Sequence, residues 1–280
     1  MKKSLFSLLA IVILFSGCAS EYNAVYKSPD QQYRYESAKE CFDMGKYSRA
    51  ISLLEELVSY NKGTDNAEEC LFMLAKAQYM DQDYESAAMT FKKYANTYAK
   101  GRYAEQAYFN IGQSLFMSAP EPRLDQTDTY SAIQAFQNYL DIFPEATMKE
   151  TAQHRLYQLQ DKLVRKELYT AQLYYDLGSY FGNCTSGGNN YEACIITAEN
   201  ALKDFPYTEL RENFSVLVMK SKFELATMSV ASRKMERFQD AEDECYGFIN
   251  EYPDSKHVAA AEKYIKRCKV FTSKAPVEEE

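Results

Sequence analysis

The chain has 280 residues, of which 32 are basic and 40 acidic, and its formal net charge is -8. An acid-rich surface repels polyphosphate, so the composition argues against nucleic-acid binding, which depends on neutralising phosphates with lysine and arginine. Ten glycines and seven prolines are few for this length, which disfavours a turn-rich all-β fold and favours long helices.

The N-terminus predicts a signal peptide at residues 1–17. Two lysines precede an uncharged apolar run at residues 5–15, which is shorter than the roughly 20 residues that a membrane span needs. The run ends in Phe15-Ser16-Gly17-Cys18, which resembles the lipobox of bacterial lipoproteins and makes Cys18 the predicted lipidation site. Cleavage there removes two lysines and gives a net charge of -10 (30 minus 40). The alternative is an ordinary signal peptide cut near Ala19.

Residues 18–30 are predicted to be a polar, lipidated tether, and a repeat begins behind it. The positions of the first copy return 37 residues later (75 minus 38): Ala38, Gly45, Tyr47 and Ala50 are matched by Ala75, Gln82, Tyr84 and Ala87. A third copy begins at Gly112 and contains an enlarged loop at residues 119–126. Two further copies end in Phe205-Pro206 and Tyr252-Pro253, where proline cannot continue a helix.

This pattern resembles the tetratricopeptide repeat, a helix-turn-helix unit in which small residues let two helices approach closely. The resemblance implies an all-α fold, a tetratricopeptide-repeat superhelix of about five helix hairpins. We expect an N-terminal module of three repeats at residues 31–147. A connector helix and a C-terminal module of two repeats are expected at 148–268, followed by a disordered acidic tail at 269–280.

Residues 148–181 are predicted to form the long connecting helix. They contain no proline, no glycine before Gly178, and an apolar seam at heptad spacing, which is typical of one continuous helix. At 1.5 Å per residue it would be about 50 Å long. The alternative is two shorter helices broken near Arg165.

Catalytic and metal-binding patterns are scarce. The two histidines, His154 and His257, lie far apart in the chain, and the usual protease, esterase and phosphate-binding motifs are absent. We therefore predict no enzyme, no cofactor and no metal. Cys184 and Cys194 flank a Gly-Gly-Asn-Asn loop and could form a disulfide. The alternative is that they are buried free thiols, the commoner fate of cysteine on helices. A role as redox thiols would need a lowered thiol pKa, which no nearby basic cluster suggests.

Aromatic residues recur in register on the first helix of the first three repeats. Two sets share one helix face, seven residues apart, with a third, polar set between them: Tyr35, Phe72 and Phe109; Phe42, Tyr79 and Phe116; and Lys39, Lys76 and Gln113. Stacked repeats would turn them into a groove for an extended peptide with aromatic side chains, whose carboxylate the lysines would meet. The alternative is that one or both aromatic sets pack between helices, Phe42, Tyr79 and Phe116 first. On the groove hypothesis, alanine at Phe72 and Phe109 abolishes binding without melting the fold.

The lipobox, tether, repeats, long connector and Phe-Pro or Tyr-Pro helix stops are together similar to the BamD family of the outer-membrane β-barrel assembly machine. The resemblance implies a non-enzymatic scaffold, lipid-anchored in the outer membrane and facing the periplasm. Its N-terminal repeats would bind unfolded outer-membrane proteins, and its C-terminal repeats would dock the barrel-forming subunit. Candidate docking contacts, chosen by position, are Arg211, Lys220, Lys222, Arg233 and Lys234. The alternative is another envelope repeat lipoprotein, for pilus biogenesis or cell-wall coordination.

Overall fold

The computed structural model describes residues 22–64, 66–180 and 189–273, and in these ranges the only regular secondary structure is helix. After a short helical segment at 22–26, eleven longer helices follow: α1 (Gln31–Asp43), α2 (Tyr47–Tyr60), α3 (Ala67–Met80), α4 (Tyr84–Thr97), α5 (Ala104–Ser118), α6 (Thr127–Ile142), α7 (Lys149–Leu177), α8 (Asn190–Asp204), α9 (Arg211–Thr227), α10 (Ala231–Glu251) and α11 (Val258–Thr272). The predicted all-α class is confirmed. Cys18, Cys184 and residues 274–280 lie outside the described residues, so the predictions made for them stay predictions. The predicted start of a disordered tail at residue 269 is wrong, because α11 continues to Thr272.

The chain divides into two compact units. Unit 1 comprises the described residues of Met1–Pro120 and Gln126–Leu159, and unit 2 those of Glu121–Asp125 and Gln160–Glu280. The division falls inside α7, which is one helix of 29 residues, as the heptad pattern predicted. The alternative of a break near Arg165 is wrong, because Arg165 lies within the helix and pairs with Asp161 one turn earlier, at 2.7 Å.

In unit 1 each helix packs on the next, from α1 on α2 through to α5 on α6. The small residues predicted at the helix crossings are buried in this unit, Ala38 and Ala75 completely. At Gly112, an added Cβ would lie 2.8 Å from the ring of Phe136. The start of α7 completes the last core of unit 1, where Ala152 and Leu159 pack with Phe136.

Gln82 takes the place of a glycine in the turn between α3 and α4, and it adopts the same backbone conformation as that glycine. Gly45, which follows α1, has a φ of 71°, and Gln82, at the matching place after α3, has a φ of 67°. This left-handed conformation costs a residue with a Cβ about 1–2 kcal/mol. The next helix is capped by the Asp83 side chain, which accepts a hydrogen bond from the Ser86 amide at 3.2 Å, and the turn keeps its shape.

Unit 2 repeats the same arrangement, with α8 on α9, α9 on α10 and α10 on α11. Its cores bury three free cysteines completely: Cys194, Cys245 and Cys268. Burial raises the pKa of the Cys245 thiol to about 12 and that of the Cys268 thiol to about 11. These thiols therefore act as small apolar core groups.

Candidate functional site

The two aromatic sets of unit 1 differ in burial, in the opposite order to the sequence-based preference. The first set is buried, with exposed fractions of 3, 5 and 8% for Tyr35, Phe72 and Phe109. The second set, which the sequence analysis favoured as the buried one, is partly exposed: Phe42, Tyr79 and Phe116. The groove hypothesis is therefore corrected for the first set, whose side chains belong to the cores between helices.

Phe72 illustrates the reason for this correction. Its ring stacks on Tyr103 with 4.4 Å between centroids, and it meets Phe91 and Tyr94 edge to face at 5.7 and 5.5 Å. These partners come from the second helix of its own repeat and from the start of the next repeat. A side chain near the start of α3 is thus enclosed from two sides, while one seven residues later, near the end of α3, lies beside the turn.

The partly exposed aromatic set lies among cationic and amide side chains. We define the aromatic–cation strip by six residues: Phe42, Lys76, Tyr79, Gln113, Phe116 and Arg155. The Lys76 Nζ lies 5.8 Å from the centre of the Phe42 ring on the preceding repeat. The Arg155 guanidinium lies 4.4 Å from the centre of the Phe116 ring, a separation typical of a cation–π contact.

Gln113 links neighbouring repeats within this strip. Its Nε2 donates a hydrogen bond to the Tyr79 hydroxyl at 3.4 Å, and its Oε1 accepts one from the Arg155 Nε at 3.3 Å. Gln113 is only 9% exposed, so it bridges other members of the strip and offers little surface of its own. The strip therefore spans α1, α3, α5 and the start of α7.

Arg155 was missed by the sequence analysis, although a signal was present. Lys39, Lys76 and Gln113 recur every 37 residues (76 minus 39, 113 minus 76), whereas Arg155 follows Gln113 by 42. The five extra residues belong to the enlarged loop at 119–126, so a register corrected for that loop places Arg155 at the fourth equivalent position.

The two lysines assigned to the groove have different surroundings. The Lys39 Nζ lies 3.7 Å from the Glu69 carboxylate and 5.3 Å from the centre of the Tyr35 ring, so its charge is partly neutralised. Lys76 is exposed, and among the described residues no carboxylate lies within ion-pairing distance of it. Lys76 is thus the lysine available to an anionic ligand.

Exposed methionines follow the strip's aromatic residues and were also missed. Met44 follows α1, Met80 ends α3, and Met117 is the last residue but one of α5. Their exposed fractions are 64, 46 and 43%. Methionine side chains are flexible and polarisable, and they recur at surfaces that accept varied apolar partners. Their similar place in three successive repeats is a sequence signal for a binding edge.

A carboxylate at the start of α5 links this helix to the segment that precedes α7. The Glu105 Oε1 accepts hydrogen bonds from the Thr147 amide at 2.9 Å and the Thr147 hydroxyl at 2.7 Å. These bonds hold the pKa of Glu105 below its ordinary value. Its charge also lies in the first turn of α5, where the helix dipole favours an anion. One repeat earlier, Glu68 accepts a hydrogen bond from the Tyr94 hydroxyl.

In unit 2, two of the five candidate docking residues are engaged within the unit. Arg211 pairs with Glu251 at 2.9 Å, and Lys222 pairs with Glu244 at 2.6 Å, both members of the second pair being 25% exposed. The other three candidates are Lys220, which lines a groove; Arg233, which is exposed; and Lys234, whose Nζ lies 5.4 Å from the centre of the Phe271 ring.

Two further features are absent from the described ranges. No group of three or more His, Cys, Asp or Glu side chains there is arranged to hold a metal ion. None of the helices assigned in those ranges combines the length and apolar character needed to cross a bilayer.

Hairpins of helices with small residues at their crossings, and with an aromatic strip on successive first helices, define a tetratricopeptide-type helical fold. The family model "YfiO: Outer membrane lipoprotein" matches residues 27–213, which is 187 of the 280 residues, and the chain belongs to this family. It is similar to the BamD-like outer membrane protein assembly factor of Aquifex aeolicus, at 25% identity over 262 residues covering 93% of this chain and 81% of the relative.

Two other relatives are similar over shorter stretches. The outer membrane protein assembly factor BamD of Haemophilus influenzae is 25% identical over 178 residues, covering 60% of this chain and 68% of the relative. That of Vibrio cholerae is 26% identical over 183 residues, covering 61% and 75%. The chain is therefore a BamD-like outer membrane lipoprotein.

Proposed function

We propose that the chain is a non-enzymatic scaffold of outer-membrane β-barrel assembly. Unit 1 binds unfolded barrel proteins through the aromatic–cation strip, and unit 2 docks the barrel-forming subunit. Acylated Cys18 anchors the chain in the outer membrane with both units in the periplasm, since two or more acyl chains give stable anchoring.

The observation that carries the client-binding proposal is the strip itself. It combines partly exposed aromatic rings, which contact aromatic side chains, with the exposed Lys76 and with Arg155, whose guanidinium is suited to carboxylates. A peptide that ends in an aromatic residue presents both chemistries at one point. The neighbouring exposed methionines supply an adaptable apolar edge for clients of different sequence.

The client-binding proposal is tested with a fluorescent peptide that ends in phenylalanine with a free carboxylate, and with its C-terminally amidated twin. We expect the free acid to bind the full chain more tightly. The double variant Lys76→Ala and Arg155→Ala should lose about tenfold in affinity, equivalent to ~1.4 kcal/mol. The matched control is Lys92→Ala with Lys93→Ala, which removes two exposed cations of the same unit outside the strip.

The proposal fails if the amidated peptide binds as tightly as the acid. It also fails if the control variant loses as much affinity as the strip variant. Circular dichroism of every variant establishes that affinity was compared between folded proteins.

Ion pairs within unit 2 reduce the number of candidate docking residues. Because Arg211 and Lys222 are paired with glutamates, we assign the docking contacts first to Lys220, Arg233 and Lys234. An exposed pair such as Arg211–Glu251 contributes little to stability, so Arg211 can still exchange its partner when a protein docks.

Affinity purification from crosslinked membranes tests the assembly role. Recovery of a barrel protein with periplasmic repeat domains is the expected result, and recovery of pilus or cell-wall components instead would favour the alternative envelope role. A Cys18→Ala variant should be released into the soluble fraction. Its retention in the membrane would contradict the proposed anchor.

A further inference from the structure

Unit 2 contains a groove that the sequence analysis did not identify. Two cavities of about 490 and 400 Å³ share Tyr169 and Gln172 of α7 as a common wall. Each is within the size range of binding pockets for small ligands. Together they form what we call the basic groove.

Four cations line the basic groove: Arg123, Lys166, Lys220 and Lys256. Within the described ranges, none of them lies at ion-pairing distance from a carboxylate. The Arg123 guanidinium lies 4.7 Å from the centre of the Tyr169 ring, and the Lys220 Nζ lies 5.9 Å from that of Tyr175. In a chain with eight more acidic than basic residues, such a concentration of cations outside ion pairs is distinctive.

The two carboxylates that line the groove already accept hydrogen bonds. The Asp176 Oδ1 accepts one from the Gln172 Nε2 at 2.8 Å, and the Glu212 Oε1 accepts one from the Ser255 hydroxyl at 2.6 Å. Burial, Lys220 and Lys256 lower the pKa of His257, which also lines the groove. With four cations and two carboxylates, and His257 neutral, the side chains that line the groove carry a net charge of +2 (4 minus 2).

Apolar side chains extend the groove along α7. Lys166, Tyr169 and Leu173 recur every three or four residues on one face of that helix, and Val216 and Leu217 of α9 line the other side. From Lys166 to Asp176 the helix rises about 15 Å, which equals roughly four or five residues of extended chain. The groove is thus long and partly apolar, with cations along its length.

We propose that the basic groove binds an extended acidic segment of a partner protein, with carboxylates on the four cations and apolar side chains against Tyr169 and Leu173. An inorganic phosphate would use the cations but leave the apolar wall uncovered, so the combination favours a peptide. The inference deepens the proposed docking role of unit 2 and rests on it.

The test uses the full chain and a fluorescein-labelled short peptide in which glutamates alternate with leucine and phenylalanine. A twin with glutamine at each glutamate is the uncharged control. We expect the acidic peptide to bind and the twin to bind about tenfold more weakly or not at all, and added salt should weaken the binding. Charge reversal by Lys220→Glu with Lys256→Glu should lower affinity for the acidic peptide about tenfold or more.

A matched variant controls for the change in net charge. Lys263→Glu with Lys266→Glu makes the same change on exposed residues of α11 that do not line the groove, and it should retain most of the affinity. Equal losses in the two variants would overturn the proposal, as would failure of the wild-type chain to bind the acidic peptide.

Other occupants are separate outcomes that would also overturn it. Displacement of the labelled acidic peptide by millimolar phosphate or by phosphatidylglycerol vesicles would assign the groove to phosphate groups. The unlabelled glutamine twin, which should not displace the peptide, is the control for this competition. A rise in affinity on deleting residues 274–280, which include three glutamates, would assign it to the chain's own tail. Because these measurements use no membrane partner, their failure is distinguishable from failure of the crosslinking experiment.

Discussion

Two glycines in helix interiors provide a matched test of the repeat packing. Gly112 lies in α5 and Gly247 in α10. An alanine Cβ at Gly112 would lie 2.8–2.9 Å from three atoms of the Phe136 ring, whereas at Gly247 nothing lies within 4 Å. Carbon atoms prefer to be about 3.5–4.0 Å apart, so only Gly112→Ala forces the core to move.

The magnitudes follow from two opposing effects. Replacing a helical glycine by alanine stabilises by about 1 kcal/mol, and this gain applies to both sites. Overpacking a well-filled core costs about 1–3 kcal/mol, and Phe136, which is fully buried, cannot turn away into solvent. We therefore expect Gly247→Ala to stabilise the protein by about 1 kcal/mol. The free energy of unfolding of the Gly112→Ala variant should be about 1–3 kcal/mol lower than that of the Gly247→Ala variant.

Urea unfolding followed by circular dichroism gives the free energies. Amide hydrogen exchange in α5 and α10 assigns each change to unit 1 or unit 2, because the two units need not unfold together. In a Phe136→Leu background, Gly112→Ala should become stabilising, since the smaller side chain leaves room for the methyl group. If Gly112→Ala alone stabilises as much as Gly247→Ala, the argument that close helix approach requires a glycine there is refuted.

Three other predictions concern contacts described above. Phe72→Ala should lower the free energy of unfolding by about 3–5 kcal/mol and lower the melting temperature of unit 1 in a circular dichroism scan. An unchanged melting temperature would contradict the core role of Phe72 and support the groove hypothesis for it. Thr147→Val should cost about 1 kcal/mol at neutral pH. Because the folded-state pKa of Glu105 is lowered, this difference should disappear as the pH falls from about 4.5 through that pKa, which urea titrations at several pH values would detect. Lys222→Met should destabilise by about 1 kcal/mol, less in high salt, because the partly buried Glu244 loses its partner; unchanged stability would mean that the pair is not maintained in solution.

Repeat periodicity was sufficient to predict the helices and their order. Ala38, Ala75 and Gly112 recur because a helix crossing tolerates only small side chains, and that requirement is visible in one sequence. The continuity of α7 was predicted equally well, because nothing between its ends can stop a helix. Gln82 shows that even an atypical turn residue adopts the expected turn when its neighbours specify it.

The burial of the two aromatic sets could not be predicted in the same way. Phe72 and Tyr79 share one helix face and recur at the same period, so periodicity alone cannot decide which is enclosed. That depends on Tyr103 and Tyr94, which reach Phe72 from other helices. The ion pair of Lys222 with Glu244 could not be predicted from the repeat either, because the two residues do not occupy equivalent repeat positions. The same holds for the residues that line the basic groove.

In the oxidising periplasm that we propose for this chain, the buried thiols have a consequence for aggregation. While the helices stay packed, burial keeps Cys194, Cys245 and Cys268 protonated and out of reach of oxidants, because the thiolate is the reactive form. Unfolding of unit 2 would expose all three at once and let them react with other chains. A transient loss of structure would then become a covalent aggregate, so the fidelity of helix packing also protects the protein against irreversible crosslinking.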